Sequence, residues 1–215
     1  AAGNLTSATT GTTSFNLDTT VAATAVALGA GVSGGANAAE AAAGVVKVTG
    51  EVGSKIVVTF TDSVGHTVTK TINAASASGD TVALVAADLG TGANQLKDGA
   101  ITVSVATTDA AGNLTSATTG TTSFNLDTSG PVFSSATTAS TPVNTPTSTT
   151  VYDANATDNG GAVDAGITYT LGGTNASLFN ISSTGAVTFK SIPTTAGSYS
   201  FTVTGADAAG NPSTQ

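Results

Sequence analysis

The sequence predicts an all-β chain of antiparallel β-sandwiches in tandem, and three observations predict it. Short β-branched runs such as Ile56-Val57-Val58-Thr59-Phe60 recur, several of them alternating apolar residues with Thr or Ser. Clusters of Gly, Asn, Asp and Ser separate them, at 50–54, 62–66, 76–80, 90–94 and 109–113. The chain also repeats itself: residues 1–19 are identical to 110–128, and Asp109-Ala110-Ala111-Gly112-Asn113 returns as Asp207-Ala208-Ala209-Gly210-Asn211. A period of about a hundred residues belongs to an array of whole domains, since solenoid repeats are far shorter.

Taken in order, the strand signals of the first full unit fall at 21–28, 45–50, 55–61, 67–73, 80–86, 100–107 and 114–126. Seven short strands in about 110 residues predict an Ig-like sandwich with Greek-key connections. Helical periodicity is nearly absent, apart from a turn of helix around Glu40. The second unit carries strand signals at 150–157, 167–171, 178–181, 186–189 and 198–206, and its prolines Pro131, Pro142 and Pro146 suit an edge strand. The expected organisation is therefore three parts. Residues 1–19 are the last strand of a preceding or donor repeat, 20–128 an Ig-like sandwich, and 129–215 a sandwich lacking its final strand.

Composition narrows the function. Lys and Arg number 5 against 13 Asp and Glu, a net charge of −8. So few cations speak against nucleic acid as a partner and against docking to anionic lipid. No apolar run approaches the length of a membrane-spanning helix. Cys is zero, which removes disulfides and thiolate metal sites. A module exported without disulfides has to be held rigid by other means, and carboxylate-bound cations are one.

The carboxylates sit where such ions would be held. In a sandwich of this strand order, Asp18, Glu51, Asp80, Asp109 and Asn113 fall at the pole where the chain comes in. Glu40, Asp62, Asp88 and Asp98 fall at the pole where it leaves, next to the linker Asp127. Calcium takes six to eight oxygens from carboxylates, Asn side chains and backbone carbonyls, and an Asp-to-Asn turn supplies several. Asp, Asn and Gly are also simply what tight turns use. Gathering turn acids and linker acids at the same pole favours the ion.

Other chemistry finds little footing. His66 is the lone histidine and sits in the turn Asp62-Ser63-Val64-Gly65-His66, where it reads as a solvated hairpin residue. Paired carboxylates for glycosidic chemistry would need aromatic walls, and no aromatic cluster is visible, with three Tyr and no Trp. Phosphate-binding and dinucleotide loops are missing. The Thr-rich stretch 115–122 reads as a soluble strand face rather than an ice-binding one. Catalysis is not expected. The Asn-x-Ser/Thr sites at Asn4, Asn113, Asn155, Asn175 and Asn180 bear on function only in a host that glycosylates them.

Leu96-Lys97-Asp98-Gly99, the 101–105 strand, Asp109-Ala110-Ala111-Gly112-Asn113 and Leu126-Asp127-Thr128 resemble the Ig-like extender repeats of large bacterial surface adhesins, over residues 1–128. Residues 129–215 resemble a bacterial cadherin-like domain. The matching pieces are Ala154-Asn155-Ala156-Thr157-Asp158, Ile167-Thr168-Tyr169, Leu178-Phe179-Asn180-Ile181, Thr184-Gly185-Ala186-Val187 and the 199–206 strand followed by Asp207. The resemblance implies tandem Ig-like and cadherin-like sandwiches in a secreted stalk at the bacterial cell surface, with calcium at the linkers. It assigns Asp127, Asp158 and Asp207, with Asn211 in the same turn, to the site between the units, and Asp18, Asp109 and Asn113 to the preceding one. Two departures speak against a further site at the far pole of 129–215. No acid stands in 142–151, and Ile192-Pro193-Thr194-Thr195 replaces an acidic turn.

The function expected is a calcium-stiffened structural spacer of an adhesin, its partners the neighbouring repeats of the same protein. The alternative is an extracellular filament or surface-layer subunit in which residues 1–19, with Phe15 and Leu17 as an apolar stripe, complete a neighbouring identical molecule by strand addition. A carbohydrate- or protein-binding tip is the third reading.

Overall fold

The structure, a computed structural model, describes residues 16–30, 32, 35–114, 121–158 and 166–215. It is all-β, in antiparallel sheets, as the sequence predicts. Residues 1–15 and most of the Thr-rich stretch 115–122 lie outside the described residues, and with them the reading of 1–19 as a strand.

Among the described residues seven strands and an α-helix make the first body. In chain order they are β1 (Ala25–Leu28), α1 (Ala38–Gly44), β2 (Val46–Thr49), β3 (Lys55–Thr61), β4 (Thr67–Ile72), β5 (Asp80–Val82), β6 (Gly99–Thr108) and β7 (Thr121–Leu126). One sheet has the order β1-β2-β5 and the other β4-β3-β6-β7. Alternation along β3 buries Ile56, Val58 and Phe60, and along β6 Ile101, Val103 and Val105. These pack against Val46, Val48 and Val82 of the facing sheet, the arrangement of a sandwich core.

The turn of helix around Glu40 is a full helix, α1. Asn37 caps it: its side chain accepts from the Glu40 N–H at 2.9 Å, while Glu40 Oε2 accepts from the Asn37 N–H at 3.1 Å. Just before it, the Ala36 N–H donates to Asn125 O at 2.7 Å and Ala36 O accepts from the Asp127 N–H at 2.9 Å. The end of β7 and the start of the linker are thereby tied to the foot of α1.

The second body holds β8 (Val132–Phe133), β9 (Tyr152–Asp153), β10 (Ala156–Thr157), β11 (Thr168–Gly172), β12 (Phe179–Ile181), β13 (Ala186–Phe189), β14 (Thr202–Ala206) and β15 (Pro212–Thr214). Its sheets are β11-β14-β15, β12-β13-β9 and the pair β10-β8. Two adjoining core clusters share Tyr152, Leu171, Ile181 and Phe201. Three details differ from the sequence reading. The 150–157 signal is split into β9 and β10, with Asn155 between them donating to Asp153 O. The strand expected over 198–206 is laddered only from Thr202. Where 129–215 was expected to stop short of a final strand, β15 lies along β14 with Thr214 opposite Thr204.

The aromatic residues also gather, which their scatter in sequence hides. Phe179 stands 4.7 Å from Phe189, 4.8 Å from Phe201 and 5.8 Å from Tyr199, ring centre to ring centre.

Candidate metal site at the junction of the two sandwiches

Among the described residues one turn is used four times. In Asp62–His66, Asp109–Asn113 and Asp207–Asn211 the first residue's N–H donates to the O of the fifth, and the glycine at the fourth place donates back to the first. Those glycines have φ of +94°, +93° and +85°, a left-handed conformation that suits glycine best. The fourth turn, Ser182–Ala186, has Ser182 Oγ in the place of the carboxylate. The Asp side chain closes the turn: Asp207 Oδ1 accepts from the Asn211 N–H at 2.9 Å, and Asp109 Oδ1 from the Asn113 N–H at 2.7 Å. Sequence showed the Asp-x-x-Gly-Asn pattern but not that the Asp caps its own turn.

The Asn of each turn reaches further. Asn211 Nδ2 donates to Asp207 Oδ2 and to Asp127 O, both at 2.9 Å. Asn113 Nδ2 donates to Asp109 Oδ2 at 2.7 Å and to Asp18 O at 3.1 Å. The same two bonds are thus made at both units, each fastening a turn to the linker before it. In this structure the two Asn side chains act here as donors.

Asp127 is held from several sides. Its N–H goes to Ala36, its O takes Asn211, and its Oδ1 accepts from the Ser129 N–H at 3.2 Å. Asp98 fixes the next two residues, accepting from Thr128 Oγ1 and Ser129 Oγ at 2.9 Å each. Across the junction, Asn37 Nδ2 donates to Ala209 O at 2.8 Å. The sequence reading missed Asn37, although an Asn three residues before a Glu was a capping signal.

Within this frame Asp127, Asp158 and Asp207 come together. One carboxylate oxygen of each lies within 4.8 Å of the others. Asp127 comes from the linker, Asp158 follows β10, and Asp207 opens the turn after β14. Asp207 is buried and the other two are half-buried. Three like charges this close repel unless a proton or a cation intervenes. Oxygens at that spacing fit the 2.3–2.6 Å bonds of a single calcium-sized ion, and three hard carboxylates are the donor set such an ion takes. The residues therefore fit a divalent cation.

The other candidates are not drawn into this group among the described residues. Asp18 Oδ1 accepts from the Thr20 N–H at 3.1 Å, the bond Asp127 makes to Ser129. Glu51 Oε2 accepts from the Ala22 N–H at 3.3 Å, and Asp80 closes its own turn at the Ser76 N–H, 2.8 Å away. Asp88 pairs with Lys70 Nζ at 2.6 Å.

Asp62 is strongly perturbed. Burial works to raise it, but N–H donors from Lys97, His66 and Val64 and the His66 ring outweigh burial and bring it from 3.8 to about 2. His66 Nδ1 stands 2.9 Å from Asp62 Oδ2, so the histidine is part of the turn's closure rather than a free hairpin residue. Asp109 is lowered as well: burial pushes it up, and the bonds from Asn113 and from the turn's N–H groups prevail.

No family model matches the chain, and no curated protein matches it. Among solved structures it is similar to the crystal structure of a tetra-tandem repeat in the extending region of a large adhesion protein. Identity is 21% over 93% of this chain, with a TM-score of 0.34. This chain spans 49% of that one, about half its length.

Proposed function

We propose that residues 20–128 and 129–215 are successive sandwiches of an extracellular spacer in a bacterial surface adhesin, and that calcium held by Asp127, Asp158 and Asp207 stiffens the joint between them. The observation that carries this is the meeting of three carboxylates from three separate segments at the linker. A pair of sandwiches joined by a short linker bends unless something spans the joint. Asn37 to Ala209 and Asn211 to Asp127 are neutral hydrogen bonds that span it already. An ion shared by linker, post-β10 loop and β14 turn would add a charged bond that forms only when all three are in place. Ligand bound by the ordered state alone stabilises it by RT ln(1 + [L]/Kd), about 2.7 kcal/mol at a hundredfold excess. Extracellular modules bind calcium in roughly the 10⁻⁴–10⁻³ M range, so the joint would stiffen after export.

Asp18, Glu51, Asp80, Asp109 and Asn113 would serve the preceding joint in a longer array, since Asn113 and Asp18 already make the bonds that Asn211 and Asp127 make. Small-angle scattering of the chain in EGTA and in millimolar calcium tests the proposal. A stiffened joint narrows the distribution of end-to-end distances, whereas an unchanged distribution would reduce the acids to turn formers.

A further inference from the structure

The linker 127–130 is held by both sandwiches. From the first, Ala36 O accepts the Asp127 N–H at 2.9 Å, and Asp98 accepts from the hydroxyls of Thr128 and Ser129. From the second, Asn211 Nδ2 donates to Asp127 O. Gly130 lies so near the start of β15 that an added Cβ would stand 3.0 Å from Pro212 O. A hinge works through a few residues that absorb large changes of φ and ψ. Residues 127–130 are tied where a hinge would have to turn.

One side chain reaches past the linker altogether. Asn37, on the first sandwich, donates through Nδ2 to Ala209 O at 2.8 Å, in the turn that carries Asp207 and Asn211. Its amide is divided between two partners. Oδ1 accepts from the Glu40 N–H in α1, while Nδ2 crosses to the second sandwich. An N–H on one side and a C=O on the other fix which way round the amide stands. Glu40 Oε2 also accepts from the Asn37 N–H. Held by Glu40 at its backbone and at Oδ1, the side chain loses little rotamer freedom in bonding Ala209.

Ala36 acts beside it on the linker. It is buried, runs parallel to the end of β7 opposite Leu126, and bonds Asn125 and Asp127 through its N–H and its O. Ala36 and Asn37 are consecutive, so the linker and the 207–211 turn are fixed to one another as well as to the first sandwich. The turn suits the contact. Gly210 has φ of +85°, and a Cβ there would stand 3.4 Å from Asn37 Nδ2. Ala209 is half-buried at this contact, whereas Ala111, at the same place in the 109–113 turn, is exposed.

We infer that Ala36 and Asn37 form a latch that sets the direction in which the second sandwich leaves the first, with Asn37 the positioning residue and the Asp207–Asn211 turn its partner. Its bonds to Ala209 and to the Asp127 N–H join neutral groups, so the latch closes before any ion binds. An ion shared by Asp127, Asp158 and Asp207 would narrow the spread about that direction rather than choose it. The inference stands apart from the ion, and it is tested in EGTA.

The chain has no Cys, so Thr69→Cys and Thr170→Cys, at exposed positions of β4 and β11, put one spin label on each sandwich. Pulsed electron–electron double resonance reads the distance between the labels in this parent and in the parent carrying Asn37→Ser or Glu40→Ala. Ser caps a helix about as well as Asn does, but it has no amide to spare for Ala209. Glu40→Ala does the reverse, removing the Oε2 bond to the Asn37 N–H and leaving the amide in place. The parent is expected to show one principal distance in EGTA. Asn37→Ser is expected to lose that peak to a broad distribution, and Glu40→Ala to keep it. An Asn37→Ser distribution that matches the parent would overturn the inference, and so would a parent without a principal distance. Equal broadening in the two variants would overturn it as well, because the joint would then answer to the helix cap and not to the bond with Ala209.

Discussion

Asn211 donates its side-chain amide to the main-chain O of Asp127, 84 positions back in the chain, at 2.9 Å. Asn113 does the same to Asp18 at 3.1 Å. One residue type at the end of one turn thus fastens each sandwich to the linker that precedes it. Asn211→Ala removes that bond and the one to Asp207 Oδ2 together. The expected loss is about 1–3 kcal/mol in urea unfolding, because two acceptors lose their donor. Asn211→Asp is expected to be worse without calcium, since it places a fourth carboxylate beside Asp127, Asp158 and Asp207.

The Asp62 turn gives a pH prediction with a definite sign. Its carboxyl lies at about 2 in the folded chain against an ordinary 3.8. A lowered folded value means that the ionised form is favoured by folding. The contribution is fully present above about pH 4 and drains away as the pH falls toward 2. Acid titration of the melting temperature in EGTA is expected to show that loss, and Asp62→Asn is expected to flatten it. Equal slopes in the two proteins would place the acid sensitivity elsewhere.

Gly185 carries φ of +80°, and a Cβ added there would collide with the carbonyl of Ala154. Its own O accepts from the Ala154 N–H at 3.0 Å, so the two segments cannot part without losing that bond. Gly185→Ala is expected to cost about 3 kcal/mol or more, from left-handed strain and overpacking together. Gly53 has nearly the same φ, +82°, with open space around it. Gly53→Ala is expected to cost only the backbone strain, about 1 kcal/mol. Thermal melts of the two variants separate collision from strain.

How far the sequence carries depends on whether a signal is local. The strands β3, β4 and β6 were legible because apolar residues alternate along them and turn clusters bound them, as in Lys55–Thr61. β8 and β15 were not, since two or three residues such as Val132–Phe133 show no period. The trio Asp127, Asp158 and Asp207 was named from a resemblance, and no spacing in the sequence brings residues 80 positions apart to one point. The donors around it were hidden for another reason. Asn37 and Asn211 look like turn formers, and only the packing of one turn against another chain segment shows that their amides span the joint. The aromatic cluster is the same case, assembled from Tyr152, Phe179, Phe189, Tyr199 and Phe201 on separate segments.

The most direct test of the calcium joint is a thermal melt of the whole chain in EGTA and in millimolar calcium, with Asp158→Asn alongside. Calcium at about ten times its Kd adds about 1.4 kcal/mol, which is roughly 5–10 °C in a domain of this size. The native chain is expected to gain that much, and Asp158→Asn, which keeps the shape but removes a charge, is expected to gain little. The same melting temperature with and without calcium in the native chain would contradict the account, and so would an equal gain in the variant.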